Sequence, residues 1–165
     1  MDIYQFLQQN RVAFEKIDHP PVYTCEQAQR LVPISSGKET KNLFVRDKKG
    51  RRHYLIIVGY DKNVDFEALS ALLEVTRISL ASPERLKKYL GVDPGSVSLL
   101  SIVNDTRNAV EVVIDEEVWE AASIRCHPLV NTTTLIISKR DIEKILEVTG
   151  HHPKIMDIPG RLEAV

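Results

Sequence analysis

Apolar residues recur along the chain with two different periods, and capping residues and turns mark where one gives way to the other. Ile3, Phe6 and Leu7 fall on one helical face behind Asp2, which predicts a short helix over about residues 2–9 with Asp2 as its cap. Over residues 12–17 the pattern changes to alternation around Val12, Phe14 and Ile17, as in a strand. Thr24-Cys25-Glu26-Gln27 has the form of a capping box and opens a helix with Ala28, Leu31 and Val32 inward. Two strand-like runs, 43–46 and 53–60, are joined by Asp47-Lys48-Lys49-Gly50, whose glycine supplies the positive φ of a tight hairpin. Asp65 begins a helix through Leu69, Leu72 and Leu73. Ser82-Pro83-Glu84 reads as N-cap, N1 proline and first-turn acid of another, which Gly91 closes. Strands are predicted at 97–103, 109–114, 123–126 and 134–137. Ser138 then caps a helix through Ile142, Ile145, Leu146 and Val148 that ends at Gly150, and a last strand is predicted over 155–158.

Strands outnumber helices and several are joined by short turns, unlike the strand–helix alternation of a doubly wound sheet. Neither GxGxxG nor a Walker A loop occurs. The expectation is a mixed α/β fold: a largely antiparallel, barrel-like sheet with flanking helices. A length of 165 residues suits one domain, and 43% hydrophobic with 27% charged residues excludes extended disorder. The apolar run 55–58 is far too short to span a membrane, and no basic segment followed by an apolar stretch opens the chain. A cytoplasmic protein without a membrane partner is expected. Cys25 and Cys126 form no CxxC, so neither a structural zinc site nor, in a reducing compartment, a disulfide is expected.

The 22 basic and 23 acidic residues nearly cancel, which excludes a protein that coats nucleic acid by bulk charge. The local count differs. Residues 38–52 hold seven basic residues (Lys38, Lys41, Arg46, Lys48, Lys49, Arg51, Arg52) against Glu39 and Asp47, a net +5 that leaves −6 elsewhere. A turn this basic is either a solubilising tip or a contact for a phosphate backbone.

Candidate chemistry is thinly spread. His151 and His152 follow a helix end and read as capping or surface residues, and His53 as a solvated strand residue. His19 precedes Pro20-Pro21 in extended chain. His127 stands at a strand end before Pro128, where a side chain can be displayed at a sheet edge. Its neighbour Cys126 makes a poor nucleophile for it, because adjacent strand residues point to opposite faces. Lys41-Asn42 at a strand start is either solvated or an ammonium beside an amide, able to hold a phosphate and a carbonyl. In Gly91-Val92-Asp93-Pro94-Gly95-Ser96, a helix end and a turn account for Gly91 and Pro94, while Gly95-Ser96 leaves backbone N–H groups open to a ligand.

Taken in order, His19-Pro20-Pro21-Val22-Tyr23-Thr24, Lys41-Asn42-Leu43-Phe44, the 90–98 turn, Val103-Asn104-Asp105 and the Cys126-His127-Pro128-Leu129 segment through Thr134 resemble the YbaK-like family of aminoacyl-tRNA editing domains over nearly the whole chain. The nearest branch is the free-standing deacylases of alanyl-tRNA(Pro). The resemblance implies hydrolysis of the ester joining a mischarged amino acid to the tRNA 3′ end, without metal or cofactor, assisted by the substrate's own 2′-hydroxyl. It implies that Lys41 anchors the terminal nucleotide with Asn42 beside it, that Gly95 and Ser96 shape the amino-acid pocket, and that His127 and Arg77 match family positions. The implied partners are the acceptor end of a mischarged tRNA(Pro), met in part by Arg46, Lys48, Lys49, Arg51 and Arg52, and prolyl-tRNA synthetase as an open alternative. A cysteinyl-tRNA(Pro) deacylase and a non-catalytic tRNA-binding module also stay open. Leu99 stands where the family commonly has a proline four residues after the glycine, which leaves the loop backbone and pocket size open.

Overall fold

The structure is a computed structural model that describes residues 2–21 and 37–161; the helix expected from Thr24 falls outside them. Helix α1 (Ile3–Gln9) is capped by Asp2, whose carboxylate accepts from Tyr4 N, and buries Ile3, Phe6 and Leu7. The hairpin of β2 (Thr40–Arg46) and β3 (His53–Gly59) turns through Gly50 at φ +68°. Asp47 holds this turn by accepting from the N–H groups of Arg51 and Arg52. Helix α2 (Phe66–Leu72) starts on Asp65, and α3 (Pro83–Leu90) starts on Ser82 and ends at Gly91 with φ +68°. Strand β5 (Val110–Asp115) runs into the single-turn helix α4 (Glu116–Trp119). The hairpin of β6 (Ser123–Cys126) and β7 (Thr133–Ser138) leads into α5 (Lys139–Thr149), capped by Ser138, and then β8 (Lys154–Met156). Strand β1 (Glu15–Asp18) lies later than its alternation suggested, and the two-residue β4 (Ser79–Leu80) and α4 were not expected.

Two expectations are corrected. Residues 97–103 are no strand: Leu99–Asn104 form a 3-10 turn, with a reciprocal cap between Ser98 and Ser101. Leu99, Leu100, Ser101 and Ile102 are all within 1% of full burial, and consecutive burial of this kind carries no period. The sheet is also not one barrel. Among the described residues there are two sheets, antiparallel β1-β7-β6 and mixed β4-β2-β3-β5-β8, in which β3-β5 and β5-β8 are parallel. Among the described residues they touch through one parallel bridge, Lys38 with Ile124, and do not close.

The five-stranded sheet is covered on both faces, which explains why every residue of β3 is buried. Phe44, Leu55, Ile57, Val112 and Ile114 face the main core with α1, α3, α5 and the 3-10 turn. Val45, Tyr54, Ile56, Val58 and Val113 face a smaller core under α2 and Ile158. No helix among the described residues is long and apolar enough to cross a membrane.

Candidate active site

The site is organised where the two sheets meet. From the Lys38–Ile124 bridge the chains before β2 and along β6 run parallel: Arg125 N donates to Lys38 O at 3.0 Å, Thr40 Oγ1 to Arg125 O at 3.3 Å, and Arg125 Nη1 reaches Glu39 Oε1 at 2.9 Å. Lys41 and His127 each lie three residues beyond the bridge, at the same step of the two segments. Farther along, β4 covers the edge of β2 at Val45 and Arg46. Between these two points that edge has no strand partner among the described residues, although Phe44 O accepts from Ala81 N at 2.9 Å.

Lys41 and Asn42 project to opposite faces of β2. Lys41 lies on the side where Leu43 and Val45 join the smaller core, and its ammonium donates to Asn63 Oδ1 at 3.4 Å. That acceptor is neutral, and no carboxylate pairs with Lys41 among the described residues. Asn42 lies with Phe44 on the main-core side, and its Oδ1 is buried with no hydrogen-bond partner among the described residues. A ligand meets both side chains only by lying across the edge of β2.

His127 is half-buried at the end of β6, and its Nδ1 lies 3.1 Å from Thr133 O. A carbonyl only accepts, so Nδ1 carries the hydrogen and Nε2 of the neutral ring keeps its lone pair. Burial holds the ring's pKa below the ordinary 6.5; the Thr133 carbonyl opposes this and His19 adds to it. The His19 ring meets His127 edge-on at 6.4 Å and is itself fixed by Pro20 O and Thr134 Oγ1, both at 2.8 Å. Beyond Pro128, Leu129 adopts φ +65°, a conformation that costs a bulky residue on the order of 1–3 kcal/mol and persists only where its surroundings impose it. Cys126 turns inward, and burial pushes its thiol up to about 12, so it is no thiolate nucleophile.

Gly95 sits at φ +91° in the exposed turn after α3, where Ser96 N donates to Asp93 O at 3.1 Å. Leu99 packs with Ile57, the pairing partner of Asn42, and with Ile124 of β6, around a residual apolar gap of about 10 Å³. Leu99 thereby anchors the end of this turn in the main core, and of the two N–H groups expected to be open to a ligand, that of Ser96 is taken by Asp93 O. On the Lys41 side lies a polar cleft of about 250 Å³ lined by Asp61, Lys62, Asn63, Glu117, Gly160 and Arg161. Glu117 takes an ion pair from Lys38, and Gly59 lies against Asp61, Glu117 and Lys38. Asn63 was missed in the sequence; the polar run Asp61-Lys62-Asn63 after a fully buried strand was its signal, since ligands gather beyond the carboxyl ends of parallel strands.

Other candidates lie elsewhere. Lys48 N donates to Thr76 O at 2.9 Å and Arg46 pairs with Ser79, which places Arg77 beside the hairpin tip and away from Lys41. His53 is no solvated residue: at 1% exposure it lies between Phe44 and Tyr89, with ring centroids 5.7 and 4.0 Å away. His151 is no surface cap either, being buried with Nε2 at 2.9 Å from Asp105 Oδ2; His152 is exposed.

Residues 19–145 match the family model described as "Aminoacyl-tRNA editing domain". The chain belongs to the aminoacyl-tRNA editing domain family. It is 35% identical to the prolyl-tRNA editing protein ProX of Acetoanaerobium sticklandii over 92% of this chain and 93% of that one. It is likewise 35% identical to prolyl-tRNA synthetase associated domain-containing protein 1 of Danio rerio, over 94% of this chain and 85% of that one. A solved structure of the hypothetical protein APE2540 shares the fold with a TM-score of 0.71 and 17% identity, covering 96% of this chain and 99% of that one. As an aminoacyl-tRNA editing domain the chain is a deacylase of mischarged tRNA.

Proposed function

We propose that this editing domain acts in trans on alanyl-tRNA(Pro), releasing alanine from the 3′-terminal ribose. The observation that carries the reading is the common step of Lys41 and His127 beyond the Lys38–Ile124 bridge, with the exposed turn at Gly95 as the expected amino-acid contact. The likeness to a protein named for prolyl-tRNA editing supports the choice of tRNA. An aminoacyl ester is already activated relative to an amide, so positioning supplies much of the rate. Lys41 holds the terminal nucleotide by its phosphate or 3′ oxygen. The lone pair on His127 Nε2 accepts from the ribose 2′-hydroxyl or the attacking water, and the N–H of Gly95, which unlike that of Ser96 is not engaged within the turn, steadies the developing oxyanion. Water adds to the carbonyl carbon, the carbonyl–O3′ bond breaks, and the proton released by water passes to O3′. A pocket that admits alanine and excludes the larger proline ring discriminates by size.

Deacylation of tRNA(Pro) charged with alanine, cysteine, serine or proline tests this. Rapid release of alanine alone is expected, reduced about 100-fold in Lys41→Ala because one charged group at the reacting end is removed. Selective release of cysteine moves the assignment to a cysteinyl-tRNA(Pro) deacylase, and equal background release from all four rejects the reading.

A further inference from the structure

We propose that a basic platform built from three separate segments, the β2–β3 turn, the loop at Arg77 and helix α3, docks the double-stranded acceptor stem while the 3′ end enters the site; this rests on the tRNA deacylase reading. The three segments are bonded to one another. Lys48 N donates to Thr76 O at 2.9 Å, and Arg85 Nη1 of α3 reaches Gly50 O at 3.3 Å. Gly50 permits the approach of Arg85, since a Cβ there would stand 2.7 Å from Arg85 Nη2. Arg85 is held in place from below by His53 Nε2 at 3.0 Å. A guanidinium only donates, so His53 accepts as a neutral ring, clamped between Phe44 and Tyr89, and Arg85 keeps its full charge with N–H groups to spare.

The platform is not the basic set suggested by the sequence. Arg52 is spent on Glu111 through two bonds of 2.9 and 2.7 Å, and Arg46 Nη1 is turned back onto the carbonyls of Asp47 and Lys48. Lys48, Lys49, Arg51 and Arg77 are exposed and have no side-chain partner among the described residues. Arg85 and Lys88 extend them along α3. Of the acids nearby, Asp47 is turned to the N–H groups of Arg51 and Arg52, and Glu84 faces solvent.

Two features select a duplex backbone over unpaired bases. The platform exposes no aromatic ring: Tyr89 is half-buried with Lys88 Nζ 5.3 Å from its centroid. Single strands are gripped by stacking as well as charge, whereas duplex backbone needs charge alone. An exposed ring lies at the opposite end of β2, where Tyr60, 38% exposed, bonds Glu39 O beside Lys41. Lys41 and Asp47 are six residues apart on β2 and its extension, roughly 20 Å at about 3.3 Å per residue. The unpaired 3′ tail of a tRNA bridges such a span.

The test compares charged tRNA with a short 3′-aminoacyl oligonucleotide that has no duplex, using the full chain. For Lys48→Glu/Lys49→Glu/Arg51→Glu and for Arg77→Glu, KM for charged tRNA should rise tenfold or more with kcat within about twofold. The log–log salt dependence should flatten by about one for each phosphate that the variant no longer neutralises. Hydrolysis of the short ester should hold, Arg52→Gln should behave as wild type, and anisotropy with an uncharged acceptor-stem hairpin should give the same tenfold loss without turnover. Unmoved KM and hairpin affinity overturn the platform while leaving the deacylase reading intact. Equal losses on both substrates overturn it as a structural effect. A wild-type chain that hydrolyses neither substrate removes the deacylase reading, and the platform with it.

Discussion

At the scale of single residues, the site depends on which group holds a proton. His127 donates from Nδ1 to Thr133 O, so only its neutral form offers a lone pair at Nε2. Burial lowers its pKa, so the ring protonates only when pH falls below the ordinary 6.5. Deacylation at saturating substrate should therefore be flat near neutrality and fall on an acid limb whose midpoint lies under 6.5. His19→Gln, which removes one contribution to the lowering, should move the limb upward, and His127→Gln should abolish it with the plateau down tenfold or more. A limb at or above 6.5 in the wild type, or one that persists without His127, would reject the assignment. The same shift affects stability: between the lowered folded value and the ordinary one the unfolded chain binds more protons, so stability rises with pH across that window and is lost as pH falls. The candidate residues were legible as residue types, Lys41, Gly95 and His127 among them. The common step of Lys41 and His127 was not, because it follows from a bridge between Lys38 and Ile124 that joins distant parts of the chain, and local spacing carries no trace of it. Asn63 and the edge-on His19 escaped for the same reason.

Among the elements, those with a stop signal at both ends were the readable ones. The helices opened by Ser82 and Ser138 and closed by Gly91 and Gly150 have the predicted bounds, since caps act through local hydrogen bonds. The 3-10 turn at 99–104 was not readable, because its residues are buried in succession by α3, α5 and both sheets. That turn also bears on the question raised by Leu99. It is the first residue of the turn after the Ser98 cap, the position where proline fits best because its missing N–H is not needed. Leucine there is therefore expected to change a core side chain and to leave the loop backbone as it is. Leu99→Pro should keep kcat/KM within about threefold, while Leu99→Ala, which enlarges the gap beside Ile57 and Ile124, should lower the unfolding free energy by about 2–4 kcal/mol in urea titration. A collapse of activity in Leu99→Pro would show that the loop needs leucine for its shape.

For the molecule as a whole, the chain that follows β8 is fastened across the carboxyl ends of the parallel strands by one buried carboxylate. Asp115, 1% exposed, accepts Ile158 N at 3.1 Å through Oδ1 and meets Lys62 Nζ at 2.6 Å through Oδ2. Lys62 in turn donates to Ile158 O at 2.8 Å, and the same segment is held by Asp65 N on Pro159 O and Arg161 N on Asn63 O. Gly160 and Arg161 wall the cleft on the Lys41 side, so a fastening made for stability also fixes one boundary of the site. Removing Lys62 leaves the buried Asp115 carboxyl short of a partner, a change that costs on the order of 3 kcal/mol, whereas replacing both groups avoids most of it. Lys62→Met should therefore destabilise the chain by about that amount at pH 7, and the double variant with Asp115→Asn should recover at least half. Hydrogen exchange should report where the loss falls, with the amides of Ile158 and Arg161 opening well below the global unfolding free energy in Lys62→Met. Deacylation by that variant should show a raised KM with a smaller change in kcat, because the cleft wall loosens while His127 and the 95–98 turn, built on other elements, stay in place. Unchanged protection at Ile158 and Arg161, together with an unchanged KM, would show that the segment is held by its backbone bonds alone and that the ion pair does not shape the cleft.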